Sequence, residues 1–442
     1  MQVVRIFLAI LLVGVWTTQP ARALSLLRDP DIEYALTRIA APVLKAAGLG
    51  ATRMEILMVD DRTLNAFVVD RGHIFLHSGL ILKMNTAAML QAVIAHEAAH
   101  ITNGHLARRP VNLRNARTAA GIGAALTVAA AIASGQGQVA GVGAAAASNT
   151  AARLFFVHTR AEENAADQSG MRYLIRAGID PQAMVQVMDI FRGQELVSAS
   201  RQDPYARTHP LSRDRFRVIK RLADAHNATF VPDQTSEYWF QRAKAKLSAF
   251  QRSPKWTLNR AGESGFDDIK AMRQAVAYHR QSDLNRAIAA MDRAIAIRPD
   301  DGYFYELKGQ ILLESRQFQA AVKAYAKAAE LEPKNALILG AYGRSLMAVG
   351  QQQEAIALLK AAHDRDGRDP RVMRDLAQAY ASIGDNGMAS LATAERYAMV
   401  GRMKDAGLHA KRASDLLPRG STAWRQAQDV LIAAEEAAKR RK

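Results

Sequence analysis

Apolar positions in "DIEYALTRIAAPVLKAAG", Asp31 to Gly48, recur at helical spacing and predict an amphipathic helix. The next segment, "RMEILMVDDRTLNAFVVDRGHIFLHSGLIL", alternates or runs apolar in short stretches broken by Asp-Asp, Arg-Gly and Ser-Gly. It predicts two or three short strands, and so a small sheet. "AVIAHEAAHITNGH", Ala92 to His105, then reads as an apolar helix. From Thr118 to Ala152 run 35 residues without a charge, mostly alanine and glycine and interrupted at "SGQGQ". Neither piece makes a convincing membrane span. Gly137 and Gly141, at GxxxG spacing, favour a packed helical hairpin, with membrane contact or a mobile lid as alternatives.

Farther on the pattern becomes periodic. "YWFQRAKAKLSAF" from Tyr238 leads past Pro254 into a region where Pro299 and Pro333, Gly309 and Gly343, Ala321 and Ala355, and Gly350 and Gly384 are each 34 residues apart. Small residues where helices cross and a proline ending the second helix, at this period, are the tetratricopeptide signature. About four repeats are expected from Ala275 onward, the last irregular, with a charged helix ending "KRRK" capping the stack.

The candidate chemistry sits in the apolar helix. Residues four apart project from one helical face, so His96 and His100 can reach a single ion, with Glu97 beside them to move a proton. This is the H-E-x-x-H pattern of zinc peptidases, although isolated matches also occur on structural helices. His105, five residues past His100, should turn to the far side of the helix. A catalytic zinc needs a third protein ligand. "TRAEENAADQSG", Thr159 to Gly170, offers Glu163, with Asp167 one turn on to accept the outer N–H of a ligating histidine.

H-E-x-x-H, then Arg160, Glu163, Ala166 and Asp167, then "THPLSRDR" with His209, Pro210 and Arg215, and upstream "LNAFVVDRGHIFLHSGLIL", together resemble the HtpX-related metallopeptidases. The match is best to their periplasmic, BepA-like branch, which carries C-terminal tetratricopeptide repeats. Ala99 stands where relatives often have glycine, and "VVDRG" is more charged than usual for its turn. The resemblance implies misassembled outer-membrane proteins as substrates and the β-barrel assembly machinery as partner. It also gives His209 an active role, either as hydrogen-bond donor to the oxyanion or as a fourth zinc ligand that keeps the resting enzyme shut. We favour the plug, with Arg215 orienting its loop. Ala66, Phe67 and Val68 are the candidate strand for pairing with an extended substrate.

Composition sets the compartment. At 442 residues and 49% hydrophobic content the chain can bury more than one core. The start "MQVVRIFLAILLVGVWTTQPARA" has a basic residue, a short apolar run and an A-x-A site, and reads as a signal peptide removed after Ala23. Export to the periplasm follows, and the absence of cysteine excludes lipoprotein acylation, disulfides and thiolate ligands. Net charge is +17, and losing Arg5 and Arg22 with no acidic residue leaves +15. An exported chain rarely meets nucleic acid, so anionic headgroups in peripheral membrane contact, an acidic partner or a merely solubilising surface are the readings left.

The expected architecture is mainly α with a small β-sheet: a zincin-type metallopeptidase domain followed by a tetratricopeptide α-solenoid. Its divisions are the signal peptide at 1–23, the peptidase domain with a connecting helix at 24–262, and the repeats at 263–442. The expected activity is peptide-bond hydrolysis with one Zn2+ per chain, on misfolded or misassembled envelope proteins. The alternative is a chaperone or assembly adaptor acting through its repeats with rare proteolysis.

Overall fold

The computed structural model describes residues 25–52, 54–107, 160–197, 201–226 and 230–439. The segment read as a signal peptide and the Thr118–Ala152 stretch lie outside them. By internal packing the chain divides into two compact units, Leu26–Asp366 and a second containing Gly367–Lys442.

In the first unit, helix α1 (Pro30–Ala46) starts where the Asp29 side chain accepts from Ile32 N, with proline at its first position. Strands β1 (Glu55–Val59), β2 (Ala66–Val68) and β3 (His73–His77) form one sheet in the order β1-β3-β2. β1 runs parallel to β3, and β2 antiparallel to it with Phe67 opposite Phe75. Short α2 (Ser78–Lys83) leads to α3 (Ala87–Thr102), capped by Thr86. α3 is apolar on all sides because it is buried on all sides, against α1, the sheet, α4 (Arg160–Arg176) and α5 (Gln182–Phe191). Short α6 (Pro204–Thr208) and α7 (Arg213–Asp224) complete this core.

Helix α8 (Gln234–Gln251) belongs to two cores at once. Phe240, Ala243 and Leu247 pack with α1 and α3, whereas Tyr238, Ala245 and Ala249 pack with Ile269, Met272 and Phe304 of the repeat helices. Between these faces Arg242 and Lys246 are fully buried. Arg242 binds Asp31 (2.8 Å) and Asp301, and Lys246 binds Asp29 (2.9 Å) and lies 3.6 Å from Glu306.

After α9 (Pro254–Asn259), paired helices follow: α10 (Asp267–Arg280) with α11 (Leu284–Ile297), α12 (Gly302–Glu314) with α13 (Phe318–Leu331), and α14 (Ala336–Ala348) with α15 (Gln352–Arg365). The period of 34 has a steric cause. A Cβ on Gly309 would meet the Tyr325 ring at 2.9 Å, and one on Gly343 would meet Leu359 at 2.7 Å, the same crossing one repeat later. The second unit holds α16 (Pro370–Ser382), α17 (Asn386–Met399), α18 (Met403–Leu416) and α19 (Thr422–Lys439). The described residues thus hold five helix pairs, and the charged helix read as a cap, α19, packs as the partner of α18. A mainly helical chain with a small sheet, followed by repeats, is the architecture expected from the sequence.

Candidate metal centre

Helices α3 and α4 approach closely because Gly170 faces the α3 backbone, where a Cβ would stand 3.3 Å from His96 N. That contact sets Glu163 and Asp167, on one face of α4, against His96 and His100 on α3. A third element supplies His209, which ends α6. Four buried side chains therefore converge: His96, His100, Glu163 and His209, with one donor atom from each all within 4.8 Å of one another.

The separations are those of a ligand shell. His96 Nε2 is 3.0 Å from His100 Nε2 and 3.2 Å from His209 Nδ1; Glu163 Oε1 is 3.0 Å from His209 Nδ1 and 3.3 Å from His100 Nε2. Four N and O donors about 2.0–2.1 Å from a shared ion would be roughly 3.3 Å apart at the edges of a tetrahedron. The residues present fit a four-coordinate metal. Glu97 is fully buried beside them, its Oε1 3.5 Å from His209 Nε2.

Charge points the same way. Burial works against a proton on His96, yet Glu163 and Asp167 overcome it and hold that imidazole up at about 10. Burial pushes His100 down to about 3. Glu163, despite burial, is held well below the usual carboxylate range by the His209, His96 and His100 rings. Glu163 thus faces the three rings as a carboxylate.

A supporting layer surrounds the donors. Asp167 Oδ1 accepts from His96 Nδ1 at 3.0 Å, and Arg215 grips Asp167 through Nε and Nη2. The same guanidinium reaches Glu163 Oε2 at 2.9 Å and donates to the Pro210 carbonyl at 2.6 Å, so it fastens the turn that carries His209. The Tyr205 ring lies tilted against His209 with ring centres 4.6 Å apart, and the Tyr205 backbone N donates to Leu64 O, just before β2. Burial, together with the charges of Glu97 and Glu163, raises its hydroxyl well above the ordinary value. Val93, Met184, Met188, Phe191 and Leu211 line an apolar cavity against His96 and His209. Ala66, Phe67 and Val68 form β2, at one end of the strand order.

One expectation is corrected. His105 does not turn away: α3 stops at Thr102, Gly104 takes φ +72°, and the turn there brings His105 Nδ1 to 2.9 Å from His100 Nδ1. The helix does not extend through Gly104, since glycine readily leaves helical geometry. Tyr205 leaves no trace in the sequence pattern, because a lone tyrosine on a short helix carries no periodic signal.

The fold and this centre define a metallopeptidase: residues 27–223 match peptidase family M48, and residues 272–336 and 306–370 match the tetratricopeptide repeat, so the chain carries an M48 peptidase domain followed by such repeats. Over 408 residues it is 26% identical to the Beta-barrel assembly-enhancing protease of Escherichia coli (strain K12), covering 90% of this chain and 81% of the relative. It is 32% identical over 191 residues to the Putative beta-barrel assembly-enhancing protease of Vibrio cholerae, covering 43% of this chain and 38% of that one. Among solved structures, MamA matches at 22% identity over 37% of this chain and 97% of its own, with a TM-score of 0.32. Among the described residues no helix is long and apolar enough to cross a membrane.

Proposed function

We propose that the chain is an exported zinc endopeptidase that cleaves misfolded or misassembled outer-membrane proteins in the periplasm. The observation that carries this reading is the buried set His96, His100, Glu163 and His209 with Glu97 beside it. The outer-membrane substrate class rests on the name of the relatives.

His96, His100 and Glu163 would hold one zinc per chain, and that ion would supply Lewis acidity toward a peptide carbonyl and toward water. Glu97 accepts the proton of the attacking water and delivers it to the leaving amine. Asp167 fixes the His96 ring through its outer nitrogen. His209 completes the donor set in the resting protein and shuts it, with Arg215 holding its turn through Pro210. Substrate displaces His209, lies against the apolar surface of Val93 and Met188, and runs extended along Ala66, Phe67 and Val68.

The test is metal analysis with cleavage of an unfolded outer-membrane protein. Wild type should hold one zinc and cleave, and Glu97→Gln should keep the zinc while losing about 10²–10⁴-fold in rate. Undiminished cleavage by Glu97→Gln overturns the reading. The helix pairs support a second role, docking partners such as the β-barrel assembly machinery as a chaperone or assembly adaptor. Assembly function surviving Glu97→Gln would favour it.

A further inference from the structure

Leu211 lines two hollows. On one side is the apolar cavity against His96, Tyr205 and His209; on the other is an open groove between the segment after α5 and the first turns of α7. Leu196, Leu211 and Phe216 give the groove its apolar lining, and the exposed Arg192, Arg213 and Arg217 give it a basic rim. Leu196 is 78% exposed, far more than a leucine serving only the core.

The rim is more basic than its surroundings justify. Arg213 and Arg217 stand in the first turns of a helix, where the macrodipole is already positive and favours acids. Asp214 and Asp189 partly offset them, through exposed contacts to Arg217 (2.8 Å) and Arg192 (3.2 Å). Such pairs in water contribute little and exchange readily. Arg192 also lies over the Phe216 ring, 5.6 Å from its centre, so one place offers an apolar surface and a guanidinium together.

We propose that this groove is a substrate subsite that takes an acidic residue next to an apolar or aromatic one, in an extended polypeptide already engaged at the metal centre. The proposal rests on the peptidase reading and adds a sequence preference to it. Leu211 lines both hollows, so the occupant we infer is the chain bound at the metal centre, and the excess of three arginines over their two aspartate partners sets its charge. Because Leu211 and Ser212 directly follow His209 and Pro210, a segment seated in the groove bears on the turn that carries His209.

The experiment uses the full chain carrying Glu97→Gln and two fluorescein-labelled unstructured peptides, identical except for Glu-Phe or Lys-Phe at one position. Anisotropy should show the Glu-Phe peptide binding about 10-fold more tightly at low salt, with the margin shrinking as salt rises. Adding R213E and R217E, both exposed positions, should abolish or invert the preference while melting stays unchanged. Equal binding of the two peptides, or a preference that survives the double reversal, overturns the proposal. So does binding to phosphatidylglycerol vesicles without discrimination between the peptides. Cleavage by the wild-type chain, measured in parallel, judges the peptidase reading separately, since binding to Glu97→Gln needs no turnover.

Discussion

Arg215 and Asp167 are joined by two parallel hydrogen bonds of 2.7 and 2.8 Å, deep inside the protein, and the same guanidinium also reaches Glu163 and the Pro210 carbonyl. Removing a buried partner leaves the other charge uncompensated. Arg215→Ala should therefore cost about 3–5 kcal/mol in denaturant unfolding of the metal-free protein. Arg215→Lys should recover little of it, because a lysine cannot make the planar fork. Full rescue by lysine would show that charge alone matters.

His209 is the position at which shape and activity should part. As a plug its loss opens the site, so His209→Ala should raise cleavage of an unfolded model substrate with zinc content unchanged. As an oxyanion donor its loss should lower turnover by roughly 10²–10³. Steady-state rates with a metal assay decide between the two.

His105 should matter through His100. A ligating imidazole whose outer nitrogen is held by a partner is fixed in orientation, and losing that partner typically costs 10–100-fold in metal affinity. His105→Phe keeps bulk and removes the 2.9 Å contact. Competition with a chelator should show weaker zinc binding of about that size, and unchanged affinity would reduce His105 to packing.

Glu306 should make stability depend on pH. Burial pushes its carboxyl up and, against the pull of Lys246, Asp29 and Asp31 push it further, to about 7. The folded protein then holds a proton that the unfolded chain, with an ordinary glutamate near 4.3, releases. This contribution is full below about 4.3 and is lost as pH rises through 7. Glu306→Gln should remove that part of the loss, so its unfolding midpoint relative to wild type should improve between pH 5 and 8.

What could be read from the sequence was local or periodic. His96, Glu97 and His100, and the pair Glu163 and Asp167, signal themselves by spacing within one helix, and the repeats by a 34-residue step that Gly309 and Gly343 enforce by contact. Arg242 and Lys246 carried no such mark. Basic residues one turn apart on a helix ordinarily face water, and only the meeting of α1, α8 and α12 reveals their carboxylate partners. His105 escapes the helical count for the same reason: its position depends on the turn at Gly104, which no fixed angular step describes.

The two-faced helix α8 bears on how such chains can be recombined. A hybrid joining this peptidase to another relative's repeats would leave Arg242 and Lys246 sealed inside without Asp301 and Glu306, unless the foreign α12 supplied carboxylates at the same two places. Compatible partners for domain exchange can therefore be chosen by inspecting two residues of the incoming repeat, before any question of its binding surface arises.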